Sequence, residues 1–288
     1  MFATMYRHTQ NGSVQKKIKD FEEKCDKDIF SDSDKFKNKV MTGHSWNYDD
    51  SGPCGPCNWP GDIHGKCQSP IDIDISKIVR IAADEQFHFK NYNKPLEGQF
   101  LNNGHSIQFL PKDSEDVPII SGGKLEQDYR FIQYHFHWGQ NNDEGSEHTL
   151  NSLQYPVELH LVHQGIKDPS KLAVLGVFIR LSGDGKSFIS EEDGLDKLIE
   201  PNSKFTAKSQ KLEDKLPKNL QSFIRYSGSL TTPPCTENVT WTVFTEPISI
   251  TKQQLQKLRK VKDSEGKIIM KNFRPTQEWC DRTVYHVC

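Results

Sequence analysis

FIQYHFHWGQ, residues 131–140, sets two histidines two positions apart in a run that is otherwise mostly apolar and aromatic. Such a run, closed by a glycine, reads as a strand, and in a strand residues i and i+2 share a face. Gln133, His135 and His137 therefore lie on one face, with Tyr134, Phe136 and Trp138 on the other. Buried imidazole costs free energy unless its ring nitrogens find partners. PVELHLVH at 156–163 repeats the pattern, grouping Glu158, His160 and Val162 opposite Leu159, Leu161 and His163. About 18 residues separate the two runs, a spacing compatible with antiparallel neighbours joined by a long functional loop. That pairing brings His135, His137 and His160 onto one wall and turns His163 away from it, which excludes His163 as a ligand.

Three neutral imidazoles without a fourth protein ligand form the pattern of a catalytic zinc, water holding the open position. Metal-bound histidines also need their second nitrogen held by a carboxylate, amide or carbonyl. Gln133 and Glu158, each two residues before a histidine on the same face, are the candidates for that task. A lone strand histidine is usually a satisfied core residue. Two at i and i+2, plus a third beside its own carboxylate, are hard to explain that way.

The rest of the 288 residues reads as one β-rich unit with a different N-terminus. LAVLGVFIRL (172–181) and NVTWTVFTEPISI (238–250) are further strands, rich in β-branched and aromatic residues. Helical signals are few: Ser190 before EEDGLDKLIE, and TKQQLQKLRKV at 251–261. No βαβ alternation or repeat occurs, which disfavours a doubly wound sheet. The fold class expected is mainly β (α+β). Residues 1–43 are rich in lysine and aspartate, with Val14, Ile18, Phe21, Cys25 and Ile29 at helical spacing behind Ser13. They read as a charged extension with one amphipathic helix, and 44–288 as the folded domain.

A net charge of −2, from 37 basic and 39 acidic side chains, provides no footprint for nucleic acid. No apolar stretch approaches the roughly 20 residues of a membrane span. Seven cysteines, three of them in GPCGPCNWPGDIHGKC, suggest disulfides and an oxidising compartment. The alternative, a metal knuckle at Cys54-x-x-Cys57, lacks a second paired cluster. The cysteine pattern leads to the expectation of a secreted, extracellular protein; the alternative is a cytoplasmic one, because the N-terminus shows no apolar signal region. An odd count leaves a thiol free for an intermolecular bridge, hence a possible oligomer.

FIQYHFHWG, GSEHT, VELHLVH, SGSLTTPPC and LNNGHS, together with QSPIDI, LAVLGVF and NFRP, make the chain resemble an alpha-class carbonic anhydrase from about His44 to the C-terminus. The resemblance implies a large, twisted, mostly antiparallel central sheet with short peripheral helices. It implies Zn2+ on His135, His137 and His160 and reversible hydration of CO2 to bicarbonate and a proton, through a zinc-bound hydroxide. Thr231 would accept from that hydroxide and donate to Glu147, aiming the nucleophile at carbon. Val162, Val174, Leu230, Val239 and Trp241, with Thr232, match the wall where CO2 is held. His105 matches the proton shuttle, with Asn103, Gln108 and Tyr48 along its water chain. Anions and sulfonamide-type inhibitors are expected at the zinc.

Departures are confined to the rim. Gln164 stands where the family commonly has tryptophan, and residues 53–67 are reorganised around their cysteines. The resemblance to extracellular members implies Cys235 paired with Cys57 or Cys67. Asn11 and Asn238 occupy glycosylation sequons, of which Asn11 is the better placed. A metal-free binding protein of the same fold would be expected to lose a histidine, and all three are present. A mineral-matrix protein would carry acidic or Gly-Asn repeats, and none occur.

Overall fold

The computed structural model describes residues 46–82, 85–182 and 192–288. The N-terminal extension, its amphipathic pattern and Ser190 lie outside the described residues. The chain from Trp46 to Cys288 forms one unit, with fourteen strands among the described residues. These are β1 (Asp72–Ile73), β2 (Val79–Ile81), β3 (Phe87–Lys90), β4 (Leu96–Asn102), β5 (Ile107–Pro111), β6 (Ile119–Gly122) and β7 (Tyr129–Trp138). There follow β8 (Thr149–Leu150), β9 (Val157–Gly165), β10 (Leu172–Leu181), β11 (Lys204–Gln210), β12 (Phe223–Gly228), β13 (Val239–Ile250) and β14 (Tyr285–Val287). Two short helices, α1 (Glu192–Leu195) and α2 (Lys252–Leu258), stand beside them.

Twelve strands make one mixed sheet in the order β11-β4-β5-β7-β9-β10-β13-β12-β14-β2, with β3 and β6 paired beside β7. Most neighbours run antiparallel; β10–β13 and β14–β2 are parallel. The mainly antiparallel sheet that the resemblance implied is therefore present, with two parallel joints. β9 and β10 are buried on both faces for most of their length, which is why they read as near-continuous apolar runs. Helix α2 starts at a capping box, Thr251 and Gln254 each bonding the other's backbone, and buries Leu255 and Leu258.

The two sheet faces carry separate cores. One holds Phe131, Tyr134, Phe136, Trp138, Leu159 and Leu161, the other Val162, Val174, Val239, Trp241 and Tyr226. Strict alternation would put Phe131 on the same face as Gln133, His135 and His137. A register break between Phe131 and Gln133 cancels this, so Phe131 packs with Tyr134 and Phe136 instead. A bulge of this kind re-aims side chains beside a functional site.

The cysteines correct one expectation. All six described ones are free thiols, so Cys235 is paired with neither Cys57 nor Cys67. The segments nevertheless meet through other bonds: Cys67 N and Gln68 Nε2 donate to Glu237 Oε1, and Asp62 N donates to Pro234 O. Cys235 itself packs inward on Tyr48 and Trp59, where burial pushes its thiol up to about 11. Hydrogen bonds thus make the connection that a disulfide was expected to make. Cys57, Cys280 and Cys288 are exposed. No helix among the described residues is long and apolar enough to cross a membrane.

Candidate metal centre

β7 and β9 run antiparallel with His135 directly opposite His160. That register brings the His135, His137 and His160 rings within 4.5–5.3 Å of one another, centroid to centroid. Each imidazole has one nitrogen engaged. His135 Nδ1 meets Gln133 Oε1 at 2.9 Å, His137 Nδ1 meets Asn272 O at 2.7 Å, and His160 Nε2 meets Glu158 Oε1 at 2.7 Å. All three acceptors take an N–H, which fixes the tautomers and leaves His135 Nε2, His137 Nε2 and His160 Nδ1 as lone-pair donors. One ligand atom from each histidine lies within 4.8 Å of the other two.

The centre is incomplete as a set of protein groups. His137 Nε2 and Glu147 Oε2 are buried and have no hydrogen-bond partner. They face each other at 3.5 Å, with His160 Nδ1 3.8 Å from the same carboxylate oxygen. Unpaired buried polar atoms are costly, and here they converge on one point. A cation taking three neutral nitrogens beside a carboxylate fits this donor set, and imidazole nitrogens are ligands that zinc accepts. Burial drives all three imidazoles below the ordinary histidine value, His137 to about 3, so they are unprotonated at neutral pH. Metal ligation requires that state.

Glu158 is the hub behind His160. It accepts from His148 N, from His148 Nδ1 and from His160 Nε2, all at 2.7–2.8 Å. Burial raises its pKa, but the N–H donors of His148 and His160 outweigh this and hold the carboxyl well below the usual range. His148 Nε2 continues to Tyr226 Oη at 2.6 Å, and Ser69 Oγ lies 2.9 Å from the same hydroxyl. Gly176 sits opposite His160 on β10, and a Cβ there would come 3.0 Å from Glu158 Oε1.

Thr231 and Glu147 are both buried near the cluster. Arg274 N donates to Glu147 Oε1 at 2.8 Å, leaving Oε2 as the open acceptor. Burial pushes the Glu147 carboxyl well above its usual range, opposed by the Arg274 N–H and the nearby Thr231 hydroxyl. Val162, Val174 and Trp241 occupy one cross-strand row over β9, β10 and β13. Val239 joins the same cluster, Leu230 packs against it, and Thr232 follows in the turn, accepting from Cys235 N. The His160 and Trp241 rings are 4.8 Å apart.

His105 stands at the tip of the β4–β5 hairpin. Asn103 Oδ1 accepts from His105 N and Ser106 N, and Gly104 takes a positive φ that completes the turn. Asn103 Nδ2 reaches Gln108 Oε1 at 3.5 Å, and Gln108 is the direct neighbour of His135. The His105 ring stacks on Trp46 at 3.8 Å and 11°. Burial in that stack lowers its pKa to about 4, against the near-neutral value that a proton relay needs. Tyr48 is buried between Trp46 and Trp59.

A profile of the eukaryotic-type carbonic anhydrases matches residues 54–288. The chain belongs to that family. It is 51% identical over 247 residues to putative carbonic anhydrase 3 of Caenorhabditis elegans, covering 86% of this chain and 99% of that protein. It is 37% identical over 262 residues to carbonic anhydrase 7 of Mus musculus, covering 85% and 98%. The family is one of enzymes, and the shared region contains every site residue named above from Tyr48 onward except Tyr48 itself, which lies before residue 54.

Four residues with supporting contacts had no role in the sequence reading. Asn272 offers His137 a backbone carbonyl from 135 positions away, and its side chain binds Trp138 N, Phe136 O and His105 O. Arg274 holds Glu147 through a backbone N–H. His148 and Tyr226 extend the Glu158 network. GSEHT and NFRP contained three of them, but nothing in those motifs states which group would act. Cys54 and Cys57 take part in no group of possible metal ligands among the described residues.

Proposed function

We propose that the enzyme hydrates CO2 reversibly to bicarbonate and a proton, with zinc held by His135 Nε2, His137 Nε2 and His160 Nδ1. The observation that carries this is the convergence of three singly satisfied imidazoles beside the orphaned atoms His137 Nε2 and Glu147 Oε2. Zinc, when bound, lowers the pKa of its water to about 7 and so supplies hydroxide near neutral pH.

The protein's own groups do the rest. With Glu147 Oε1 occupied by Arg274 N, Oε2 is the oxygen that accepts a hydrogen bond from the Thr231 hydroxyl. Thr231 then presents only lone pairs, so it orients an oxygen nucleophile that can donate and disfavours anions that cannot. The row Val162, Val174 and Trp241 gives uncharged CO2 an apolar wall and keeps the nucleophile poorly solvated. Gln133, Glu158 and the Asn272 carbonyl keep the imidazoles in their tautomers. His105 takes the proton outward, past Asn103 and Gln108, once its ring leaves Trp46 and becomes solvated. Anions and sulfonamide-type inhibitors would compete at the metal.

Zinc analysis and stopped-flow CO2 hydration on the wild type and His137→Ala test the reading. Wild-type protein replete with zinc is expected to hydrate CO2 well above background and the variant to lose both metal and activity. Background-level hydration by the zinc-replete wild type would refute it.

A further inference from the structure

Away from the histidines, β12 and β13 carry a second unsatisfied polar group. Arg225 is 6% exposed, and Nε, Nη1 and Nη2 all lack a hydrogen-bond partner. Its direct neighbour across the sheet, Thr242, is wholly buried with its Oγ1 also unpartnered. The guanidinium carbon lies 5.6 Å from the Phe87 ring centroid and 5.0 Å from that of Phe223. Those rings offset part of the charge but provide no lone pair for the N–H donors. Arg225 remains a cation at neutral pH, since burial lowers its pKa only to about 10.

Arg225 also lines a cavity of about 300 Å³, together with Arg282, Lys124, Thr240, Thr283 and Glu126. The Arg282 nitrogens donate to the carbonyls of Trp279, Ser227 and Glu278, so its charge there meets neutral acceptors. Arg225 and Arg282 bring two guanidinium charges to the lining against the one carboxylate of Glu126. A buried charge missing its hydrogen-bond partners is strongly destabilising, whereas the same charge with a fitted anion is not. The guanidinium fork matches planar oxyanions, which accept two parallel N–H bonds.

We propose that the Arg225 cavity is a binding site for a small monovalent oxyanion of the carboxylate or bicarbonate class, separate from the histidine centre. The anion would take the Arg225 fork, with Thr283 on the wall. Bicarbonate, the product proposed above, falls within this class, but the site does not depend on that chemistry.

The test follows thermal melting of zinc-loaded wild type and Arg225→Met in acetate, and separately in bicarbonate, at constant ionic strength. Both proteins keep the histidine centre, so anion binding there cancels in the comparison, and CO2 hydration is expected to be unchanged. The wild type should gain about 3 °C over the variant at ten times the dissociation constant. In anion-poor buffer the variant should melt no lower than the wild type. Equal anion responses, or a large drop for Arg225→Met in anion-poor buffer, would overturn the site.

Glu126→Gln removes the cavity's carboxylate and should tighten acetate binding without lowering the melting point in its absence. A clear loss of stability there would mark Glu126 as the arginine's own partner and refute the proposal. If Arg225→Met does not fold, Arg225→Lys keeps the charge without the fork. Its acetate affinity should fall several-fold, and an unchanged affinity would overturn the site.

Discussion

His160 and His163 stand three residues apart on β9, both wholly buried and both held below the ordinary histidine value by burial. They face opposite sides of the sheet. His163 accepts from Tyr92 Oη at Nε2 (2.6 Å) and approaches Ala173 O with Nδ1 (3.3 Å), so both nitrogens are used. His160 spends one nitrogen on Glu158 and points the other at His137 and Glu147. Burial and pKa direction do not separate the two. The unused nitrogen does, and it marks the ligand face.

The largest expected contrast comes from truncating one histidine on each face. His137→Ala should abolish zinc retention and CO2 hydration, a loss beyond the roughly 100-fold expected for removing a supporting partner. His163→Ala should keep its zinc and lose about 2–4 kcal/mol of stability, as large-to-small core changes do. Zinc content and denaturant unfolding measured on both variants decide it. Retained zinc in His137→Ala, or lost zinc in His163→Ala, would collapse the distinction.

A smaller effect belongs to Glu158. Glu158→Gln keeps the shape but loses the charge that His148 and His160 share, and zinc affinity should fall about 10–100-fold by competition with a chelator. Gly176→Ala should move in the same direction, because the added methyl meets Glu158 Oε1 at 3.0 Å.

The acid limb of stability sharpens the comparison on the core side. The pKa of His163 is about 3 when folded and about 6.5 when unfolded, so below pH 6.5 the unfolded chain binds the extra proton. Stability is therefore full above that pH and drains as pH falls toward 3, by about 3 kcal/mol at pH 4 for this one group. Metal-free His163→Gln should show a flatter stability curve between pH 6 and 4 than the metal-free parent. A parallel curve would mean that burial does not hold His163 unprotonated in the folded protein.

The mildest change concerns His105. Trp46→Ala removes the stacking partner, and the imidazole pKa should climb from about 4 toward 6.5, read by NMR titration. Turnover at low buffer should hold or rise. An unchanged pKa would show that other neighbours, not Trp46, desolvate the ring.

Much of the metal face was legible because a strand's two-residue period is a local property. It put His135, His137, Glu158 and His160 on one side, where their side chains meet, and His163 on the other, against Phe131. Partners reached through backbone atoms were not legible. The Asn272 carbonyl and the Arg274 N–H exist in any residue, so no side-chain signature announces them. The disulfide expectation failed for a related reason: composition counts thiols, but whether two meet depends on where each Cβ points.

By itself, then, the sequence determined the four central strands β7, β9, β10 and β13, the polar face of β7 and β9, and which three imidazoles share a wall, since these follow from propensity and period. Only the tertiary structure decided what each polar atom finds on that wall. It gave His137 a carbonyl from the far end of the chain, left His137 Nε2 and Glu147 Oε2 facing each other, parked His105 on Trp46, and left Arg225 without an acceptor. Hydrogen-bond satisfaction depends on groups distant in sequence arriving within about 3 Å, and no local pattern records that arrival.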